Sequence, residues 1–132
     1  MQPYYPPPNR APSWRIHSIC NQTYRDVEVI ITDDSKDESV EQLAKEYTGK
    51  LQLHYFRNKK QLGSPANWNE SIKYAKGDYI KIMHHDDWFN TAESLDTLVK
   101  LLEEDSTRSF AFSTVRVLEM DTQTYRLHNA AT

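Results

Sequence analysis

Two pairs of adjacent acids carry the chemical interest of this chain, Asp33-Asp34 and Asp86-Asp87. Each pair closes an apolar run. Between them lies a polar, basic stretch: Arg57, Asn58, Lys59 and Lys60. Neighbouring carboxylates repel one another unless a cation or a donor separates them. Hard oxygen ligands favour Mg²⁺ or Mn²⁺, and such an ion usually bridges one or two carboxylates to substrate phosphates. These residue types therefore point to a metal-dependent site for a phosphorylated ligand. The plainer alternative is that an Asp-Asp at a strand end is a turn or a helix cap. The second pair, on the same rim, is what favours chemistry.

Other residues near the acids are less specific. His84 and His85 precede the second pair. Adjacent strand residues face opposite sides, so the two do not share one ion. Without cysteines or further spaced histidines, a closed zinc site is not expected. One histidine beside the acids suits a phosphate contact or an extra ligand. Asn67-Trp68-Asn69 falls near a helix start, where N–H groups attract anions. Asn69 is a candidate there, with capping or solvation as its alternative, and Trp68 reads as core. The glycines are Gly49, Gly63 and Gly77, so no glycine-rich phosphate loop is present.

The elements that must position these residues follow from composition and periodicity. The chain has 132 residues, 38% apolar and 27% charged, which fits one soluble domain. A chain this long buries roughly two thirds of its unfolded surface. Its net charge of −3 does not point to nucleic acid. The single Cys20 suits a reducing compartment, and no signal peptide or membrane-length apolar run is read. Pro3, Pro6, Pro7, Pro8 and Pro12 predict an irregular, extended head over residues 1–15. The domain proper is expected over 16–118, followed by a polar tail, 119–132.

Within 16–118, strands are predicted at Val27–Thr32, Leu51–Phe56, Asp78–Met83 and about Ser109–Leu118. Val40, Leu43, Ala44 and Tyr47 form one helical stripe, and Leu95, Leu98, Val99 and Leu102 form another. A middle helix starts near Ser64-Pro65, read as N-cap and first helical residue. Ser35 with Glu38, and Asn90 with Glu93, read as capping boxes. The order β-α-β-α-β-α-β predicts an α/β domain with a mostly parallel sheet. Ligands of such sheets sit beyond the carboxyl ends of the strands, where the acids and the basic loop converge.

The run Asn21-Gln22-Thr23-Tyr24 through Glu28 to Asp33-Asp34-Ser35 resembles the family 2 glycosyltransferases of the GT-A fold. Asn58, Gly63, Asn67 and Asn69 are similar to the family's N…G…N segment. Gly77-Asp78-Tyr79-Ile80 through Asp86-Asp87 is similar to its GdYI…DD stretch. The resemblance covers about residues 16–118. It implies a three-layer α/β/α, Rossmann-like fold and transfer of a sugar, with inversion, from a nucleoside diphosphate sugar to an acceptor hydroxyl. It places Asp33, Asp34, Asn69 and Asp86 on the nucleotide sugar, and Asp87 on Mg²⁺ or Mn²⁺ at the diphosphate. The acceptor would be a glycan, a lipid or another hydroxyl compound.

Two departures are visible. Met1 to Pro8 stands where the family has its first buried strand, and the acceptor half that follows the second acid pair is not matched. The expectation is a truncated, donor-binding half, and no catalytic base is identified: Glu119 and Asp121 lie in no motif. An alternative is an inactive remnant or a nucleotide-sugar-binding module. An uncovered sheet position would invite self-association. A receiver-type phosphate-accepting domain is the third reading, and it lacks its lysine in Ser109–Leu118. The expected location is the cytoplasm, including the cytoplasmic face of the membrane.

Overall fold

A computed structural model describes residues 11–84, 86–119, 121–122 and 124–128, without the side chains of Ala11, Pro12 and His128. The elements run α1 (Ala11–Cys20), β1 (Glu28–Asp33), α2 (Ser39–Tyr47), β2 (Gln52–Arg57), α3 (Ala66–Tyr74), α4 (Ser94–Glu103), β3 (Val115–Glu119) and β4 (Thr124–His128).

The β-branched run Val29-Ile30-Ile31-Thr32 makes β1, and α2 returns the chain so that β2 lies parallel to it, with Glu28 opposite Gln52 and Asp33 opposite Arg57. Helix α2 packs on both strands, and α3 packs on β1. Ala44, on the apolar stripe of α2, is buried. The start of β1 is tied to the end of α3: the Glu28 carboxylate accepts the Lys76 and Gly77 N–H groups. Ile16 of α1, Phe89 and Val99 of α4 are also buried. The α/β class expected from the alternating elements is what the chain adopts.

Several local expectations are corrected. Residues 11–15 belong to α1 and are not an irregular head. Pro12 sits in the first turn, where its missing N–H has no intrahelical partner to lose. Residues 1–10, including the segment in place of a first strand, lie outside the described residues. Asp78–Met83 forms no strand, and Tyr79, Ile80 and Ile82 are exposed. Among the described residues β1 pairs with β2 alone, so this apolar segment has no ladder to join, and propensity without a partner does not make a strand. The parallel sheet is thus two strands wide among the described residues.

Of Ser109–Leu118, only the end is a strand. β3 pairs antiparallel with β4, which lies in the segment read as a polar tail. The alternation Thr124-Tyr125-Arg126-Leu127 carried that signal, and Leu118 faces Tyr125 across the hairpin. Arg126 meets Glu119 at 3.2 Å.

The three expected caps are also replaced. At α2, Asp37 and not Ser35 takes the Ser39 N–H, at 3.0 Å, and Ser35 instead donates its own N–H to Asp33. Ser64 makes no cap at α3, whose first turn closes through the Gly63 carbonyl and the Asn67 N–H at 2.8 Å. Glu93 is at the N-cap of α4 without a side-chain bond, and Gln22 supplies the acceptor from a distance.

Candidate functional site

The carboxyl end of β1 is built from its own last residues. Asp33 is 3% exposed, and its carboxylate accepts the Ser35 N–H at 2.8 Å and the Tyr55 hydroxyl from β2. Burial pushes the Asp33 carboxyl up. The hydrogen bonds from Ser35 and Tyr55, with Arg57 nearby, outweigh that and leave it below the ordinary carboxylate range. Burial raises the Tyr55 phenol, and Asp33 adds to this, so that it reaches about 12. The first acid of the pair is therefore a structural anchor between two strands.

Asp34 faces the loop after β2. Its carboxylate accepts Asn58 Nδ2, the Leu62 N–H at 3.1 Å and the Gly63 N–H at 2.8 Å. Desolvation raises this carboxyl, but those three donors win and hold it below the usual range. Gly63 adopts φ +73°, a left-handed conformation that glycine takes without steric cost, and this turns its N–H onto Asp34. Asn67, in the first turn of α3, locks the arrangement. Its Nδ2 donates to the Thr32 carbonyl at 3.1 Å, and its Oδ1 accepts from Asn58 at 2.8 Å. Thr32 returns a bond from its hydroxyl to the Asn67 carbonyl. Asn58, Asn67 and Tyr55 were not among the expected site residues. The asparagines stand in the same N…G…N spacing as Asn69 but were given no role of their own.

Asn69 itself is exposed on α3. The basic loop is divided. Arg57 turns back to the Asp37 carbonyl at 3.0 Å and to Glu41, while Lys59 and Lys60 line a hollow of about 220 Å³ with Leu62 and Glu70.

Asp86 and Asp87 are both exposed, and Asp87 closes a turn with the backbone of His84: its carboxylate accepts the His84 N–H and its own N–H donates to the His84 carbonyl, each at 3.1 Å. His85 lies outside the described residues. A cleft of about 540 Å³ runs between this turn and the loop held by Asp34, lined by Ser64, Trp68, Met83, His84 and Asp86. Trp68 was expected in the core. It stands in the cleft wall, 38% exposed, with its ring 4.5 Å from that of His84. Of the four acids only Asp86 lines this cleft, and Asp34 is linked to its wall through the Gly63 N–H beside Ser64.

Helix α1 supports the second acid turn. Ser18 is fully buried, and its hydroxyl accepts the Phe89 N–H at 3.1 Å. Gln22 donates to the Thr91 carbonyl at 2.8 Å and accepts the Leu95 N–H at 2.9 Å. Thr23 donates its N–H to the Ala92 carbonyl at 2.9 Å. Burial lowers the Arg15 guanidinium from its ordinary value, against the attraction of Asp87 and then Asp86, which favours the charge. Arg15 has no counterpart among the expected site residues, because no helix was expected over residues 11–20.

Among the described residues, no three histidine, cysteine or acidic side chains gather as a ligand set. The donor set at the turn is two exposed carboxylates. That fits Mg²⁺ or Mn²⁺ held jointly with phosphate oxygens, and it does not fit a metal enclosed by protein alone. No described helix is long and apolar enough to cross a membrane.

The profile of the family described as Glycosyl transferase family 2 matches residues 15–131. An uncharacterized glycosyltransferase of Methanocaldococcus jannaschii is 29% identical over 117 residues, which cover 87% of this chain and 40% of that protein. One from Rickettsia bellii is 34% identical over 98 residues, covering 74% of this chain and 14% of that protein. The glycosyltransferase GlyA of Streptococcus pneumoniae is 24% identical over 89 residues, covering 67% of this chain and 13% of that protein. No solved structure matches. The chain belongs to glycosyl transferase family 2, and it spans well under two thirds of the length of these relatives.

Proposed function

We propose that this chain forms the donor-binding part of a metal-dependent glycosyltransferase that takes a sugar from a nucleoside diphosphate sugar and passes it, with inversion, to an acceptor hydroxyl. The observation that carries this reading is the cleft of about 540 Å³ between the Asp34-held loop and the Asp86–Asp87 turn. Its size lies in the range of small-molecule sites, roughly 300–1,000 Å³. It has an acid turn on one side and an aromatic wall, Trp68, against which a planar or apolar ligand face can rest.

The roles divide by what each residue already holds. Asp33 fixes the end of β1 through Tyr55 and Ser35. Asp34 accepts three donors of the protein, with the Leu62 N–H shared between its two oxygens, and is the proposed contact to a base N–H. Asn69, exposed on α3, and Asp86, in the cleft wall, are the proposed contacts to the rest of the nucleotide sugar. Asp87, with Asp86 beside it, would hold Mg²⁺ or Mn²⁺. When bound, that ion stabilises the negative charge of the departing diphosphate. Inversion requires a base to take the acceptor proton, and no described residue is assigned that task. The acceptor is a glycan, a lipid or another hydroxyl compound, and the proposed location is the cytoplasm or the cytoplasmic face of its membrane. The edge of β1 away from β2 is where a second copy would add a strand.

Titration calorimetry tests the reading. Wild-type chain with UDP or GDP and Mn²⁺ is expected to bind, and Asp87→Ala to lose at least tenfold in affinity. No heat with any nucleoside diphosphate sinks the proposal. Binding without transfer to any acceptor favours the second reading, a nucleotide-sugar-binding module.

A further inference from the structure

Helix α1 presents one face to the segment that carries the second acid pair. Ser18 holds the N–H of Phe89, two residues beyond Asp87. Just past the helix, Gln22 holds the Thr91 carbonyl and the Leu95 N–H. Arg15 lies three residues before Ser18, on the same side of the helix. Its backbone carbonyl accepts the Ser18 hydroxyl proton at 2.8 Å. The contacts Ser18 to Phe89, Gln22 to Thr91 and Thr23 to Ala92 advance in the same direction along both segments, so Arg15 falls alongside the residues immediately before Phe89, the acid turn.

We propose that Arg15 is a positioning residue for the Asp86–Asp87 turn, the internal cation that holds both acids against α1 and that an incoming divalent ion must compete with. The attraction between Arg15 and both acids agrees with this placement. Two adjacent carboxylates repel each other, and a guanidinium, charged at every accessible pH, offsets that repulsion when no metal is there. A metal ion with its own positive charge then enters a site already partly neutralised. The cation half of the inference rests on the donor-site reading above. The pairing of Arg15 with the turn does not.

The test uses the full chain with Arg15→Met, Arg15→Lys and Asp87→Asn. In metal-free, low-salt buffer, urea unfolding of the single and double variants forms a cycle. Arg15→Met is expected to shift the midpoint less in the Asp87→Asn background than in the wild type. Additive shifts overturn the pairing. Uptake of Mn²⁺ alone, followed by loss of the free-ion electron paramagnetic resonance signal, reads the competition. Arg15→Met is expected to bind Mn²⁺ several-fold more tightly, Arg15→Lys to stay near the wild type, and the difference to shrink as salt is added. A wild type that binds Mn²⁺ with Arg15→Met no tighter overturns the competition. If no variant takes up Mn²⁺ even with nucleotide, the donor-site reading fails, and the urea cycle alone decides on Arg15. Should Arg15→Met not fold, Arg15→Gln replaces it in both measurements.

Discussion

The Gln22 side-chain carbonyl accepts the Leu95 N–H at 2.9 Å across 73 residues of chain. Leu95 is in the first turn of α4, where N–H groups have no intrahelical acceptor. The residue at the N-cap, Glu93, makes no side-chain bond. Gln22 therefore caps α4 from outside it, and its amide nitrogen also satisfies the Ser18 and Thr91 carbonyls.

Truncating this side chain leaves buried polar groups unpaired. Gln22→Ala is expected to destabilise the fold by about 2–3 kcal/mol, the cost of orphaning such groups. Gln22→Glu keeps the acceptor for Leu95 but turns an oxygen on two carbonyls, so it should not rescue. Urea midpoints of the two variants check this. A loss below about 0.5 kcal/mol for Gln22→Ala would contradict the buried clasp.

The Tyr55–Asp33 bond predicts a pH signature with two limbs. The folded state lowers the Asp33 carboxyl, so its contribution is present above the ordinary value of about 3.9 and is lost as pH falls through the lower folded value. The folded state raises Tyr55 to about 12, so its contribution is present below the ordinary value of about 10 and is lost as pH rises from there to about 12. Tyr55→Phe should abolish its share of the alkaline limb. Thermal unfolding between pH 9 and about 12, compared with wild type, measures it.

Gly63 stands at φ +73° with no atom within 4 Å of where a Cβ would be, so the cost of a side chain there is in the backbone alone. Gly63→Ala should destabilise by about 1–2 kcal/mol, and Gly63→Asn by less, because asparagine tolerates that region. Equal stability of all three would show that the loop does not need the left-handed turn. The order is read from urea midpoints.

Asn67 joins the Thr32 carbonyl to Asn58, and Asn58 reaches Asp34. Asn67→Ala is expected to cost about 1–3 kcal/mol and to weaken nucleotide binding through the Asp34 loop. Asn58→Ala and Asn67→Ala should be non-additive, because they empty the same network. Calorimetry and urea unfolding of the double variant test this coupling.

The strand–helix–strand unit from Glu28 to Arg57 was legible because its periods are local: a β-branched run, a helical stripe containing Ala44, then an alternating strand. The acids at 33–34 were read at the end of a strand that forms, whereas those at 86–87 were read at the end of a strand, Asp78–Met83, that does not. The helix at Ala11–Cys20 was not, since the prolines before it dominate the composition while Pro12 is harmless in a first turn. Asp78–Met83 reads as a strand by propensity, yet a strand is a relation to a neighbour, which a single segment cannot show. The clasp of Ser18 and Gln22 was illegible for the same reason. Its partners, Phe89, Thr91 and Leu95, are distant in sequence, and nothing in a buried glutamine's own surroundings names them.

The reach of the Gln22 clasp has a kinetic consequence. Tyr55 returns to Asp33 over 22 residues, whereas Gln22 reaches Leu95 over 73. Chain closure over the longer loop costs about 1 kcal/mol more entropy before any contact rewards it. The β1–α2–β2 unit is therefore expected to close before Gln22 reaches α4. On opening, the segment that carries Asp86 and Asp87 is expected to let go before the Asp33–Asp34 end.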